Sequence, residues 1–515
     1  MSIRLETADP LTAWRIIAPD DRRLRVRTGA LGEPEFVLAS EISGASGRAD
    51  RYADEWLLTR EDRGWVIRNV RSGAPLSVRE DGGVGPATAG RSPAVWTIGP
   101  ADIGALCEIG TDRWILSCSG DVPVTRERGQ ASTTAWRLVP ADARYPVPEP
   151  QPMSTGSLLV GAQMCNLWMG DRWPKDRPYP NGREPVLGWS KIEPYPERMP
   201  VIGWYDEGTP TATDWEIRMA VESGITFFMP CWYRTRGSAG QPVREELAHW
   251  MDGLPAARYR DRIRYFLMWE NLNDIACGVS GERDLLENVM PFLIETYFRD
   301  ESYLKIDGRP LLSVYGPVRL IEELGGPEAA RRSFERASAL CRQAGFEGLT
   351  LIGQYCWGSP AERHEDVAQA GFACTMSYHW PTFAEGTLPE PAPAPAPSYT
   401  AAEIIRGHET CWREQERAEL SNIVTASVGW DSAPWDHSVT ERFWMLGADD
   451  FGILLERARD EVTAKARGGL PSRMVLLDNW NEFGEGHYIM PTVGHGFAYL
   501  DAVAKVFGRT DARAS

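Results

Sequence analysis

Between residues 155 and 505 the chain repeats one alternation eight times: a short apolar run bounded by polar or turn residues, then a connection long enough for a helix. The runs are Leu158–Met164, Thr226–Trp232, Arg264–Trp269, Pro310–Tyr315, Leu349–Tyr355, Cys374–Trp380, Ile423–Trp430 and Met474–Trp480. Helical periodicity lies between them over Asp214–Ser223, Asp284–Phe298, Pro327–Ala344 and Ala448–Ala466. Eight strand–helix alternations predict an α/β fold of the TIM, or (β/α)8 barrel, type. Between the sixth and seventh runs, residues 389–397 place a proline at every second position. Neither helix nor central strand tolerates that, so a stiff extended loop at the barrel rim is expected.

The first 150 residues read differently. Short β-like runs alternate with turn residues, and two tryptophan series interleave. One, at Trp14, Trp65 and Trp114, recurs at intervals of 51 and 49; the other, at Trp56, Trp96 and Trp136, recurs at intervals of 40 and 40. Two interleaved threefold series predict three β units around one core. The stretch from Trp65 to Val78 resembles one lobe of a ricin-type β-trefoil, a fold that often binds sugars in shallow pockets. That family closes each lobe with Gln-x-Trp, whereas Asp54, Ala94 and Thr134 stand at the glutamine position here. The tryptophans therefore read first as core, with sugar binding as an additional expectation. The proline-rich stretch that begins at Tyr145 separates the two parts. The expected organisation is a multidomain chain: an all-β trefoil over 1–145, a linker over 146–155 and a barrel over 156–510.

The formal charge of −17 argues against a nucleic-acid grip or an anionic membrane surface. No apolar run is long enough to span a bilayer, and the first residues carry no apolar leader. Nine scattered cysteines, without a Cys-x-x-Cys pair, fit reduced thiols, and a cytoplasmic location is expected. Seven histidines without ligand spacing predict no metal, and the absence of a Gly-rich phosphate loop predicts no nucleotide or other cofactor. Nothing in the sequence fixes an oligomeric state.

In such barrels the chemistry sits at the carboxyl ends of the strands. Those ends combine aromatic with polar or acidic residues: Trp232 and Tyr233; Trp269, Glu270 and Asn271; Tyr355 and Trp357; Tyr378, His379 and Trp380; Trp430 and Asp431; Trp480 and Asn481. Aromatic faces around carboxylates suit a sugar cleft, so a carbohydrate partner is expected, and His379 and His487 are candidate substrate contacts. The sharpest element is Asn481-Glu-Phe-Gly-Glu-Gly486. Glu482 and Glu485, three residues apart on a turn with two glycines, are placed to share one cleft. Like charges held close push their pKa values apart, which leaves one as acid and the other as base.

At this motif, Trp480-Asn-Glu-Phe-Gly-Glu-Gly486, the chain resembles the glycoside hydrolase family 99-like proteins. The resemblance extends to Ile202-Gly-Trp-Tyr-Asp206, which adds Tyr205 and Asp206 to the candidate substrate contacts, and to the stretch Gly224 to Tyr233. Tyr303 to Leu311 and the closing Gly496-Phe-Ala-Tyr-Leu500 also belong to it. It implies a retaining glycosidase, an enzyme in which Glu482 is the base on the sugar 2-hydroxyl and Glu485 the general acid/base. Double displacement with a carboxylate nucleophile is the other scheme, with Glu270 as a spare carboxylate. Downstream, His487 and Tyr488, both candidate substrate contacts, depart from the mannose-cleaving members, so mannose specificity is not implied. A glycosyltransferase or transglycosylase of polysaccharide metabolism, and a lectin that only holds glycans, are the competing readings.

Overall fold

The computed structural model describes residues 5, 8–28, 34–39, 51–79, 83–87, 93–99, 106–119, 122–127, 135–168, 188–272, 276–355, 363–378, 399–416, 420–435, 444–465 and 468–509. The proline run at 389–397 and the candidates Trp357, His379 and Trp380 lie outside the described residues.

The N-terminal unit is a β-trefoil by its pairing. Six strands close a ring. Trp14–Ile17 pairs with Trp136–Pro140 and Trp56–Glu61, and the latter pairs with Gly64–Asn69. The Trp65↔Trp96 bridge leads on to Thr97–Gly99, which pairs with Leu106–Gly110, and that strand returns to Trp136–Pro140. The other six strands make three hairpins: Arg23–Thr28 with Pro34–Ala39, Leu76–Val78 with Val84–Pro86, and Trp114–Ser119 with Val122–Glu127. The 40-residue tryptophan series explains the threefold core. Trp56, Trp96 and Trp136 are wholly buried, and each indole N–H donates to a leucine carbonyl of a hairpin: Leu24 at 2.9 Å, Leu76 at 2.8 Å and Leu116 at 2.9 Å. A buried indole needs such a partner, because an unmet N–H in the core costs about 1–3 kcal/mol. The second series differs: Trp14 and Trp65 are buried, while Trp114 is half-buried under the Arg113 guanidinium.

The second unit holds the eight expected strands: β1 (Leu159–Met164), β2 (Phe227–Arg234), β3 (Met268–Glu270, led in by Arg264–Tyr265), β4 (Arg309–Val314), β5 (Thr350–Tyr355), β6 (Cys374–Ser377), β7 (Val424–Ser427) and β8 (Met474–Asp478). All neighbouring pairs are parallel, in the order β6-β5-β4-β3-β2-β1-β8-β7. The parallel bridge Thr375↔Asn422 and the Ile423 N–H to Thr375 carbonyl bond, 2.7 Å, bring β6 to β7 and close the barrel. Strands β4, β6, β7 and β8 end one to three residues earlier than the apolar runs do, and β2 and β3 run one or two residues past them. Inside, Gln354 of β5 donates to Gln163 of β1 at 2.6 Å, a polar tie within the barrel.

The expected helices form, with small shifts at their ends. Pro210–Val221 begins earlier than its apolar pattern, because Thr209 caps it and Pro210 fills the first turn. Pro327–Gln343 and Ala448–Ala464 follow the predicted spans closely. The 284–298 span is a succession of short α and π turns. The boundary between compact units falls at Glu149/Pro150, close to the expected linker. Tyr195–Tyr205 and Pro491–Asp501 cluster with the first unit, although they follow the linker in sequence. They pair with one another through Pro200↔Thr492, and Asp501 takes a bond from Arg71 at 2.5 Å. Among the described residues no helix is long and apolar enough to cross a membrane.

Candidate active site

Strand β8 is buried along its whole length, and past Asn479 and Trp480 the chain folds back as a minimal hairpin. Asn481–Glu482 pairs antiparallel with His487–Tyr488, so that Glu482 lies opposite His487. The turn between them needs its glycines. Gly486 sits at φ +76°, a left-handed conformation, and faces the backbone of Asp431. Gly484 lies under the Trp435 ring, which a Cβ would meet at 2.0 Å. The Asp431 N–H donates to the Glu485 carbonyl at 2.6 Å and so braces the turn from the loop after β7.

The two glutamates occupy unlike surroundings. Glu482 is buried, and its Oε1 has no hydrogen-bond partner among the described residues. Burial, then the charge of Glu485, pushes its carboxyl up to about 8; His487 and the Cys165 thiol pull the other way. These surroundings favour the neutral acid form of Glu482. The Glu485 side chain is 22% exposed. Its Oε2 accepts from the Tyr378 hydroxyl at 2.5 Å and from His487 Nε2 at 2.9 Å. The other ring nitrogen of His487 faces Asp478 Oδ2 at 3.0 Å, and the Ser427 hydroxyl donates to that oxygen at 2.8 Å. Burial alone would lower His487, but Asp478 and Glu485 outweigh it and raise it to about 10. The ring is thus an imidazolium enclosed between two carboxylates.

The remaining candidates divide by the period-two alternation of strands. Tyr233 and Glu270 are buried, and Tyr233 interacts electrostatically with both Glu270 and Glu482: burial first, then Cys231, Cys165, Glu270 and Glu482, holds the Tyr233 hydroxyl well above its usual range. Their neighbours pack away from it. Trp232 donates to Glu245 at 2.5 Å and stacks on Phe292, and Trp269 donates to the Cys277 carbonyl at 3.2 Å. Trp480 donates to Glu216 at 3.3 Å and packs on Phe228, and the Tyr355 hydroxyl meets His364 at 3.1 Å. These four rings belong to the packing between strands and helices. Sugar-facing positions were expected of them; because a strand sends successive side chains to opposite faces, the inward places fall to their neighbours.

Asn271 is also structural, exchanging two bonds with Gly316 at 3.1 and 2.8 Å, as is Asn481, whose Oδ1 accepts the Cys165 N–H at 2.8 Å. The Trp430 ring lies 5.6 Å from the His487 ring, Asp431 Oδ1 accepts the Ala433 N–H at 3.2 Å, and Tyr488 packs on Phe483. Tyr205 is buried within the first unit, and Asp206 accepts the Gly208 N–H at 3.0 Å.

Several residues at the site escape the reading of strand ends. Cys165 and Cys231, 3.9 Å apart on neighbouring strands, lie beside Glu482, as does the buried Glu207. Trp168 stacks between Trp189 at 4.9 Å and Trp435 at 5.9 Å, with Phe483 against its edge. Trp168 and Trp189 lie between β1 and the next strand, Trp435 follows β7 and Phe483 sits in the hairpin turn after β8, so no local pattern announces the cluster. Asp478 and Ser427 carried a usable signal, a polar residue at the last inward position of an apolar strand. Among the described residues no group of three His, Cys, Asp or Glu side chains is arranged to hold a metal ion.

The model of the family described as glycosyltransferase WbsX matches residues 194–503. The uncharacterized protein WxcX of Xanthomonas campestris pv. campestris is 24% identical over 326 residues, 61% of this chain and 44% of that protein. The chain therefore spans less than half the length of this curated relative. A solved GH99 endo-alpha-mannosidase from Bacteroides thetaiotaomicron is similar at 13% identity, over 67% of this chain and 95% of its own, with a TM-score of 0.47. A ricin B-like lectin of Macrolepiota procera, solved with lactose, is 13% identical over 26% of this chain and 99% of its own, with a TM-score of 0.21.

Proposed function

The chain belongs to the glycosyltransferase WbsX family, and from that premise we propose that it processes glycans, breaking a glycosidic bond with Glu482 and Glu485 as the acid/base pair. The observation that carries this is the difference between the two carboxyls: Glu482 is buried with one oxygen that meets no partner among the described residues, while Glu485 is partly open and lies at hydrogen-bond distance from Tyr378 and His487. Cleaving a glycosidic bond needs a proton delivered to the leaving oxygen and a base for the attacking hydroxyl. A module that only held sugars would have no use for a carboxyl desolvated at such cost. Tyr233 lies close enough to Glu482 to interact with it, and Tyr378 holds Glu485 in place. Retention is the outcome we propose, through the sugar's own 2-hydroxyl or through a carboxylate nucleophile, and the trefoil is proposed as an accessory glycan-binding module.

The family's description favours a second reading, in which the acceptor is another sugar hydroxyl rather than water. The two readings separate in one assay. Full-length protein is incubated with oligosaccharides alone, with oligosaccharides plus a second glycan acceptor, and with nucleotide sugars. Release of shorter sugars in water supports the hydrolase. Products found only with an acceptor or a nucleotide sugar support transfer.

A further inference from the structure

Resting on the proposed acid/base pair, one relation at the site goes further. The resemblance to family 99-like barrels implies that Glu482 acts as base and Glu485 as acid. We propose that His487, clamped between Asp478 and Glu485, is a positioning residue that reverses these roles, fixing Glu485 as the base and leaving the proton on Glu482.

The geometry carries this. Both ring nitrogens of His487 lie at hydrogen-bond distance from carboxylate oxygens, Asp478 Oδ2 at 3.0 Å and Glu485 Oε2 at 2.9 Å. Each of those oxygens already takes a hydroxyl donor, Ser427 on one and Tyr378 on the other. Donors that converge on one oxygen favour a carboxylate over the neutral acid. A ring that donates from both nitrogens to two carboxylates carries a positive charge, and Asp478 and Glu485 favour that form. Glu482 has the opposite surroundings: it is buried, one of its oxygens lacks a partner among the described residues, and Glu207, Glu485 and the Cys165 thiol are close. The groups that bear on the pair are thus Asp478 from β8, Tyr378 from the end of β6, Cys165 from the end of β1, Tyr233 from β2, and Glu207. His487 is the cation among them that contacts Glu485 directly. Burial and repulsion from Glu485 favour the neutral acid at Glu482, in agreement with its raised value.

In the bond-breaking step the attacking hydroxyl gives its proton to Glu485 as its oxygen bonds to the anomeric carbon. The bond from that carbon to the leaving oxygen breaks, its electron pair stays on the leaving oxygen, and the proton of Glu482 completes the departing hydroxyl. His487 neither gains nor loses a proton. It holds Glu485 in the ionised form in which the step begins.

The test reads protons directly and needs no substrate. Infrared difference spectra at pH 7 compare full-length wild type with Glu482→Gln and Glu485→Gln. A protonated-carboxyl band of the wild type should be lost in Glu482→Gln, with Glu207→Gln identifying the band of that buried neighbour; a band kept in Glu482→Gln and lost in Glu485→Gln would overturn the proposal. The 15N signals of His487 should be those of a doubly protonated ring at pH 7.5, and a neutral tautomer would likewise overturn it. In His487→Gln the acidic limb of kcat/KM, read on whichever aryl glycoside is turned over, should move up by about one pH unit, with kcat falling more than KM changes. An unmoved limb contradicts the proposal. If no glycoside is turned over, the proposed activity fails while the spectra still decide the proton arrangement.

Discussion

The backbone N–H of Cys165 donates to Asn481 Oδ1 at 2.8 Å, so the exit of the first barrel strand is pinned by the side chain directly before Glu482. Truncating Asn481 strands that buried N–H. Asn481→Ala should cost about 1–3 kcal/mol in urea unfolding and should lower turnover as well, because Cys165 and Glu482 move together. Full activity with normal stability would show that the tie is dispensable.

Gly484 makes a sharper prediction. A methyl group there would meet the Trp435 ring at 2.0 Å, so either the ring or the turn that carries Glu485 must shift. Gly484→Ala should destabilise by about 1–3 kcal/mol and lower kcat/KM by about 10²-fold. Gly452→Ala is the control: in helix Ala448–Ala464 its Cβ would meet only Ala502 at 3.8 Å, and kcat/KM should stay at wild type.

Leaving-group dependence separates acid from base. If Glu482 delivers the proton, Glu482→Gln should abolish turnover of unactivated sugars yet spare much of it on aryl glycosides whose leaving group needs no proton. Glu485→Gln should lose both. The reverse pattern would restore the roles that the family resemblance implies.

Stability should fall with rising pH at this site. Glu482 is raised from 4.5 to about 8, so between those values the folded state binds the proton that the unfolded chain has released. Its contribution is complete below pH 4.5 and is lost as pH rises through 8. His487, raised from 6.5 to about 10, contributes fully below pH 6.5 and loses its effect through pH 10. Urea midpoints taken from pH 5 to pH 10 should slope downward. Glu482→Gln should flatten the lower part of that slope and His487→Gln the upper part.

What the sequence makes legible follows from how local each signal is. The barrel is read from eight apolar runs, since burial on both faces writes itself as an uninterrupted stretch. The trefoil is read from the 40-residue tryptophan series, whose indole bonds repeat in space as they do in sequence. Glu482 and Glu485 are legible because one turn carries both. Trp232, Trp269, Trp480 and Tyr355 look like sugar platforms in a list of strand ends, yet alternation turns them toward the helices. The clamp on Glu485 joins Tyr378, His487, Asp478 and Ser427 from three strands and a hairpin, so only the closed barrel shows it.

The most direct test of the account is a mass-spectrometric product screen of the full-length protein. It would use α-mannoside, galactoside, rhamnoside and arabinoside oligosaccharides, with Glu482→Gln and Glu485→Gln alongside. The account predicts shorter products from at least one substrate in the wild type, and unactivated substrates left uncut by either variant. Equal cleavage by either variant would contradict it, and so would glycans that raise the melting temperature of all three proteins while none is cut.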